Sequence, residues 1–152
     1  MLTDENIRLS YLHSEKIAHR DVKTDNLTLD KKERVTLIDF GLSSEFFSLG
    51  LDYPPMMVGT AGTIGYMAPE VLSDPAYDHK CDVFSFGICL WEIIEGLIPK
   101  SCPTALSDIM KKRGDVKPQN RPEMKEVVHM LEVIQTTKGR HQHEPLSCFR
   151  FA

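Results

Sequence analysis

Apolar and polar positions divide the chain into helical ends and a broken middle. Ile7, Leu9 and Leu12 recur near the helical spacing, which predicts the end of a helix running into Ser14. Two short apolar or β-branched runs follow, Asn26–Leu29 and Val35–Ile38, and the five polar residues Asp30–Arg34 between them make a β-hairpin. From Gly41 to Pro69, Gly, Ser and Pro are scattered without a sustained period. A structureless loop of that length in a compact domain is usually functional or disordered. Over His79–Glu95, apolar residues such as Val83, Phe86, Ile88, Leu90, Trp91 and Ile94 lie on nearly every side of a helix. Such a helix calls for burial all round and should be the core element; Gly96 suits its C-terminal end. A last helix begins near Pro122 and carries Met124, Val127, Val128, Leu131 and Ile134 on one stripe. Gly139 ends it, and residues 138–152 are expected to form a flexible tail. The pattern is that of a mainly α protein with one small β-hairpin.

Composition narrows the class without naming a chemistry. Hydrophobic residues make up 41% of the 152 and charged residues 26%, so one ordinary domain with a core is expected. The 18 Lys and Arg against 22 Asp and Glu leave a net charge of −4, which argues against nucleic acid as a partner. Lys111-Lys112-Arg113 is the one local basic cluster and is expected to be a solvated helix face. No stretch approaches the ~20 apolar residues of a membrane span, and the start lacks the pattern of a secretory leader. A cytoplasmic protein is therefore expected. Cys81, Cys89, Cys102 and Cys148 form no CxxC pair and read as reduced thiols. His141, His143 and Cys148 match no closed zinc pattern.

Three short motifs then occur in order. His19-Arg-Asp-Val-Lys-Thr-Asp-Asn26 fits the pattern H-R-D-L-x-x-x-N, with Val22 in place of Leu. Asp39-Phe-Gly41 follows the second strand, and Ala68-Pro-Glu70 closes the long loop. In this order they resemble the C-terminal lobe of a eukaryotic protein kinase, part of the α+β protein kinase-like fold. The stretches 9–14, 62–72, 80–92, Ile98–Pro103 and Arg121–Met124, with Thr137–Gly139, are similar to the plant Raf-like mitogen-activated protein kinase kinase kinases of the tyrosine-kinase-like group. Under this resemblance residues 1–6 are a divergent start, 7–137 a partial kinase domain and 138–152 the tail.

The resemblance implies transfer of the ATP γ-phosphate to protein Ser or Thr, a reaction that rests on positioning and charge neutralisation. It makes Asp21 the catalytic base, Lys23 the cation that neutralises the transferred group, and Asn26 and Asp39 the ligands of Mg²⁺. Lys23 and Thr63 point to a serine/threonine kinase. It further implies that His19 and Phe40 are core-packing residues and that Asp82 holds the catalytic-loop backbone. Glu70 is expected to pair with Arg121, and Arg20 to receive a phosphorylated loop residue, with Ser43, Ser44, Ser48 and Thr60 as candidates. The implied partners are protein substrates or other members of a kinase cascade.

Departures matter as much. No G-x-G-x-x-G and no V-A-I-K occur in the 152 residues, so the N-terminal lobe that closes over ATP is absent from them. Gly96-Leu97 leads straight to Ile98-Pro99, which shortens the domain by a helix. Arg113-Gly114 stands where the family has Cys-Trp, and Thr28 where an apolar residue meets the adenine. These losses would leave apolar surface exposed and open to association. The expectation is a serine/threonine kinase catalytic fragment that acts when the full domain is present. The alternatives are a non-catalytic pseudokinase-like binding fragment or a decayed gene piece.

Overall fold

The computed structural model describes residues 9–29, 35–46, 56–74, 76–97 and 111–138. Helix α1 (Leu9–Ser14) turns Leu9 and His13 inward, four residues apart on one face. It ends where Lys16 takes a left-handed φ of 63°, and strand β1 (Ile17–Ala18) follows. The expected hairpin forms from β2 (Leu27–Leu29) and β3 (Val35–Leu37), with Leu27 opposite Leu37 and Leu29 opposite Val35. Val35 and Leu37 are buried while Thr36 faces outward, the two-residue alternation of a strand with one packed face.

Within the loop from 41 to 69, the described residues include two short strands that the sequence did not announce. Strand β4 (Ser44–Glu45) pairs antiparallel with β1, and β5 (Met57–Val58) pairs with β6 (Ala76–Tyr77). Strands of two residues carry no readable period. What secures them is the burial of Phe46, Met57 and Tyr77 in one cluster with Ala18, Ala68, Val71 and Cys81. Helix α2 (Pro69–Ser73) opens on a proline at its first turn, where a missing N–H breaks no bond.

Helix α3 (Lys80–Leu97) is the core element, and it passes through Gly96 instead of ending there. It gives Cys81 to the cluster under the loop. Val83, Phe86, Cys89 and Leu90 enter a second cluster with Leu9, Val22, Val35, Leu37, Met124, Val127 and Leu131. Each large side chain so buried stabilises the fold by about 1.5–3 kcal/mol. Burial is not all round, however, since Trp91 stays 49% exposed. Helix α4 (Met124–Lys138) lays Met124, Val127 and Leu131 on that core. Its start is capped as the Glu123 N–H donates to Glu126 Oε2 at 2.7 Å.

The basic cluster corrects a second expectation. Lys111 and Lys112 are exposed, but Arg113 is fully buried. Its stem lies over Gly87, whose missing side chain leaves the room, and its guanidinium sits 4.8 Å from the Phe86 ring. Burial pushes the Arg113 guanidinium down to about 9. A charged residue beside two lysines gives no sign of this, because the vacancy belongs to a glycine 26 positions earlier.

Burial also pushes the Cys89 thiol up to about 12 and raises Cys81, so both are poor nucleophiles. Among the described residues no helix is long and apolar enough to cross a membrane. The sequence readings on Ser48, Ile98–Pro103, Gly139, His141, His143 and Cys148 lie outside the described residues.

Candidate active site

The site is built around Asp82, a fully buried carboxylate in the first turn of α3. Its Oδ2 accepts the His19 N–H and its Oδ1 the Arg20 N–H, both at 2.8 Å. His13 Nε2 lies 3.0 Å from Oδ2, and since a carboxylate only accepts, that nitrogen carries the hydrogen. Burial works to raise the Asp82 pKa, but the hydrogen bonds from His13, His19 and Arg20 outweigh it and hold the pKa below the usual range. The clamp fixes Arg20 in the left-handed region at φ 67°, a strain of about 1–3 kcal/mol for a side-chain-bearing residue.

His19 carries the next link. Its Nε2 donates to the Ile38 carbonyl at 3.1 Å, and its Nδ1 accepts the Asp21 N–H at 3.3 Å. One neutral tautomer satisfies both bonds and ties the hairpin to the loop at 19–26. His19 is fully buried, as expected for a packing residue. Phe40 is not. It stands edge-on to the His19 ring at 5.0 Å and remains 47% exposed.

Asp21, Lys23 and Asn26 come together, with Thr63 as a fourth member. Thr63 Oγ1 donates to Asp21 Oδ1 at 2.6 Å and accepts from Lys23 Nζ at 2.9 Å. Lys23 Nζ also lies 2.9 Å from Asp21 Oδ2. The Asn26 amide donates to the Asp21 carbonyl at 2.9 Å and to Oδ2 at 3.3 Å. Burial would raise the Asp21 pKa; the bonds from Thr63, Lys23 and Asn26 more than offset it, so Asp21 is ionised at neutral pH. Its bond to Asp21 in turn raises the Lys23 pKa, with smaller help from the charges of Asp25 and Asp39. Gly62 makes this meeting possible. It takes φ 124°, and a Cβ there would stand 2.6 Å from the Arg20 carbonyl oxygen.

Asp39 stands apart from that cluster. It follows β3 at φ 62° and is exposed, with its Oδ1 accepting the Gly41 N–H at 3.3 Å. The hairpin sets its place, since the Ile38 N–H donates to the Asn26 carbonyl at 3.0 Å. Asn26 gives its amide hydrogens to Asp21, which leaves its carbonyl oxygen as the end suited to a cation. An amide oxygen and a carboxylate on adjacent backbones fit Mg²⁺, which binds few protein oxygens and takes the rest from phosphates and water. Thr28 is exposed at the hairpin, where its hydroxyl donates to the Thr36 carbonyl at 3.3 Å.

A second hydrogen-bonded ring was not read from the sequence. Tyr66 Oη donates to Glu92 Oε2 at 2.6 Å, Thr24 Oγ1 donates to the same oxygen at 3.0 Å, and the two hydroxyls lie 2.9 Å apart. The Tyr66 carbonyl also accepts the Ser85 hydroxyl at 2.7 Å. Residue after residue, Lys23 and Thr24 bind Thr63 and Tyr66, so the catalytic loop and the loop before Ala68 are held together. Burial, then the bond to Glu92, raises the Tyr66 pKa. Only the shared loop of Thr63 and Tyr66 hinted at this, because Glu92 is 68 positions from Thr24.

Arg20 Nε donates to the Leu42 carbonyl at 2.9 Å. Ser43 and Ser44 make local bonds to the Phe40 and Glu45 carbonyls, and Thr60 reaches the Val71 carbonyl at 3.5 Å. Glu70 and Arg121 form the expected buried pair, with Nη1 and Nη2 donating to Oε1 and Oε2 at 2.5 and 2.8 Å.

Beside that pair Glu123 binds Lys80 Nζ at 2.6 Å and His79 Nε2 at 2.9 Å. Burial opposes ionisation of Glu123, but the bonds and charges of Lys80 and His79 prevail and bring it down to about 2. A lowered carboxylate pKa stabilises the fold above its ordinary value of 4.5 and ceases to do so as pH falls towards 2. Glu123 is half exposed, so Glu123→Gln is expected to cost only about 1 kcal/mol at pH 7. In thermal melts the gap from the unsubstituted chain should close as pH is lowered from 4.5.

The chain is 32% identical to serine/threonine-protein kinase STY46 of Arabidopsis thaliana, over 90% of its own length and 27% of that protein. It is 35% identical to the probable serine/threonine-protein kinase kinX of Dictyostelium discoideum, over 88% of this chain and 14% of the relative. Human mitogen-activated protein kinase kinase kinase 13 matches at 31% identity, over 82% of this chain and 15% of that protein. The chain thus spans about a quarter or less of the length of these relatives. Residues 7–120 match the protein kinase domain. With that match, and with relatives named as serine/threonine-protein kinases and a mitogen-activated protein kinase kinase kinase, the chain belongs to the protein kinase family as part of its C-terminal lobe.

Proposed function

We propose that these residues carry the phosphoryl-transfer half of a protein serine/threonine kinase, acting in the cytoplasm in a cascade of the mitogen-activated kinase kinase kinase type when the ATP-binding lobe is present. The observation that supports this best is the cluster of Asp21, Lys23, Asn26 and Thr63. An ionised Asp21 held by three donors is a fixed acceptor for the proton of a substrate hydroxyl. Lys23 stays a cation beside it and neutralises charge on the transferred group. Asn26 and Asp39 would hold Mg²⁺, which would supply positive charge against the negative charge of the phosphates. Thr63 orients both Asp21 and Lys23.

The test joins the 152 residues behind the ATP-binding lobe of a related kinase and measures phosphate transfer to protein substrates. Asp21→Asn is expected to lower turnover about 10²–10⁴-fold, the share that a positioned base supplies. An unchanged rate would remove Asp21 from its role. The 152 residues alone are expected to show no thermal stabilisation by millimolar Mg·ATP that depends on Asp39, because even a millimolar dissociation constant needs about −4 kcal/mol. A stabilisation that vanishes in Asp39→Ala would overturn that expectation.

A second reading, a non-catalytic binding fragment, is favoured by the exposed Leu29, Ile38, Phe40 and Leu42 on and beside the hairpin. An inactive joined protein whose lobe still binds a kinase partner would select it.

A further inference from the structure

Two arginines are buried among the described residues, and only one is satisfied. Arg121 donates five hydrogen bonds, two to Glu70 and one each to the carbonyls of Lys80, Asp115 and Val116. Arg113 has no hydrogen-bond partner among the described residues at Nε, Nη1 or Nη2, all of which are buried. Its Cβ stands 3.0 Å from the place a Gly87 Cβ would take, so the stem is pressed against α3. The face of Phe86, 4.8 Å away, attracts the cation but returns far less than its removal from water costs.

The nearest acid in sequence is already engaged. Asp115 Oδ1 accepts the Lys117 N–H at 2.9 Å, and Oδ2 accepts the Asn120 amide at 3.2 Å. Lys111 and Lys112, exposed on the preceding positions, add positive charge instead of removing it. Three successive cations therefore share one turn with no described carboxylate free to balance them.

We propose that the turn at 111–114 opens to place Arg113, with Lys111 and Lys112, on a multivalent oxyanion of the phosphate or sulfate class, which is the missing counter-charge of this segment. Closed, the guanidinium is trapped against Phe86. Open, it is solvated and paired, and its planar fork suits two oxygens of one tetrahedral anion.

The test uses the full 152-residue chain. Thermal midpoints are measured in sodium sulfate and in sodium chloride of equal ionic strength. For the unsubstituted chain, 20 mM sulfate is expected to give a saturable gain of about 4 °C over chloride, the size for a site of millimolar affinity. Arg113→Met and Arg113→Trp should start from higher midpoints and show no such excess. Lys111→Ala with Lys112→Ala should keep the lower start and show a reduced excess. Amide exchange adds a readout that a closed site would not move, since sulfate should accelerate exchange at 111–113 while raising the midpoint. No excess in the unsubstituted chain, an equal excess in Arg113→Met, or slowed exchange at 111–113 would each overturn the proposal. A larger gain with phosphoserine than with inorganic phosphate would make a protein-borne phosphate the ligand, and the reverse a free ion.

Discussion

Arg121→Met is expected to lower the stability of the chain by about 3–5 kcal/mol, because it strands the Glu70 carboxylate in the core. Glu70 is 4% exposed and its two oxygens take Nη1 and Nη2 side by side. Arg121 also holds three carbonyls, so its loss further leaves Lys80, Asp115 and Val116 short of a donor. A loss of this size is a large fraction of the roughly 5–15 kcal/mol that holds a domain folded, so the variant should unfold at a much lower urea concentration. Glu70→Gln is the milder change and should cost less, since the amide still accepts one bond. Glu70→Leu with Arg121→Met removes both charges and should recover part of the loss. Urea midpoints of Arg121→Met, Glu70→Leu and the double variant measure the coupling directly, and an additive pair would mean that the ion pair contributes nothing.

The second large effect belongs to Asp82. Asp82→Asn keeps the shape but puts an NH₂ where one oxygen received an N–H, so His19 or Arg20 loses its acceptor in a fully buried place. The expected cost is about 3 kcal/mol, from the charge-assisted bonds lost and the donor left unmet. Amide exchange at His19 and Arg20 should speed up about 100-fold, and Arg20 should relax from φ 67°. Unchanged protection would show that packing alone holds the loop. The pH dependence has a fixed sign. The Asp82 pKa is lowered in the fold, so its contribution is present above the ordinary value of 3.8 and disappears as pH falls through the lower one.

These two contacts were legible in the sequence, and their legibility has a cause. Both came through the resemblance to protein kinases, with Asp82 at the start of an apolar helix and Glu70 at the end of a motif, and not from spacing alone. Asp21, Lys23 and Asn26 lie within six residues, and a short loop must bring them together. What was not legible depends on pairs with nothing local to mark them. Glu92 reads as one more solvated carboxylate on α3 until Tyr66 and Thr24 are seen to share its oxygen. Strands β1, β4, β5 and β6 are too short to alternate. The resemblance implies that Phe40 packs in the core, yet it is 47% exposed with the His19 ring edge-on to it. Arg113 misleads most, because charge predicts solvent and a distant Gly87 supplies the vacancy.

The Asp82 clamp also sets an order of events during synthesis. Its two acceptors lie 63 and 62 positions after the amides they hold. At about 5–20 residues per second the carboxylate is made roughly 3–12 s after the loop it secures. Until then nothing offsets the strain at Arg20, and the His19–Asp21 segment has no reason to leave the ordinary backbone basins. The loop is thus made well before the residue that holds it, and it takes its shape only once the first turn of α3 has followed.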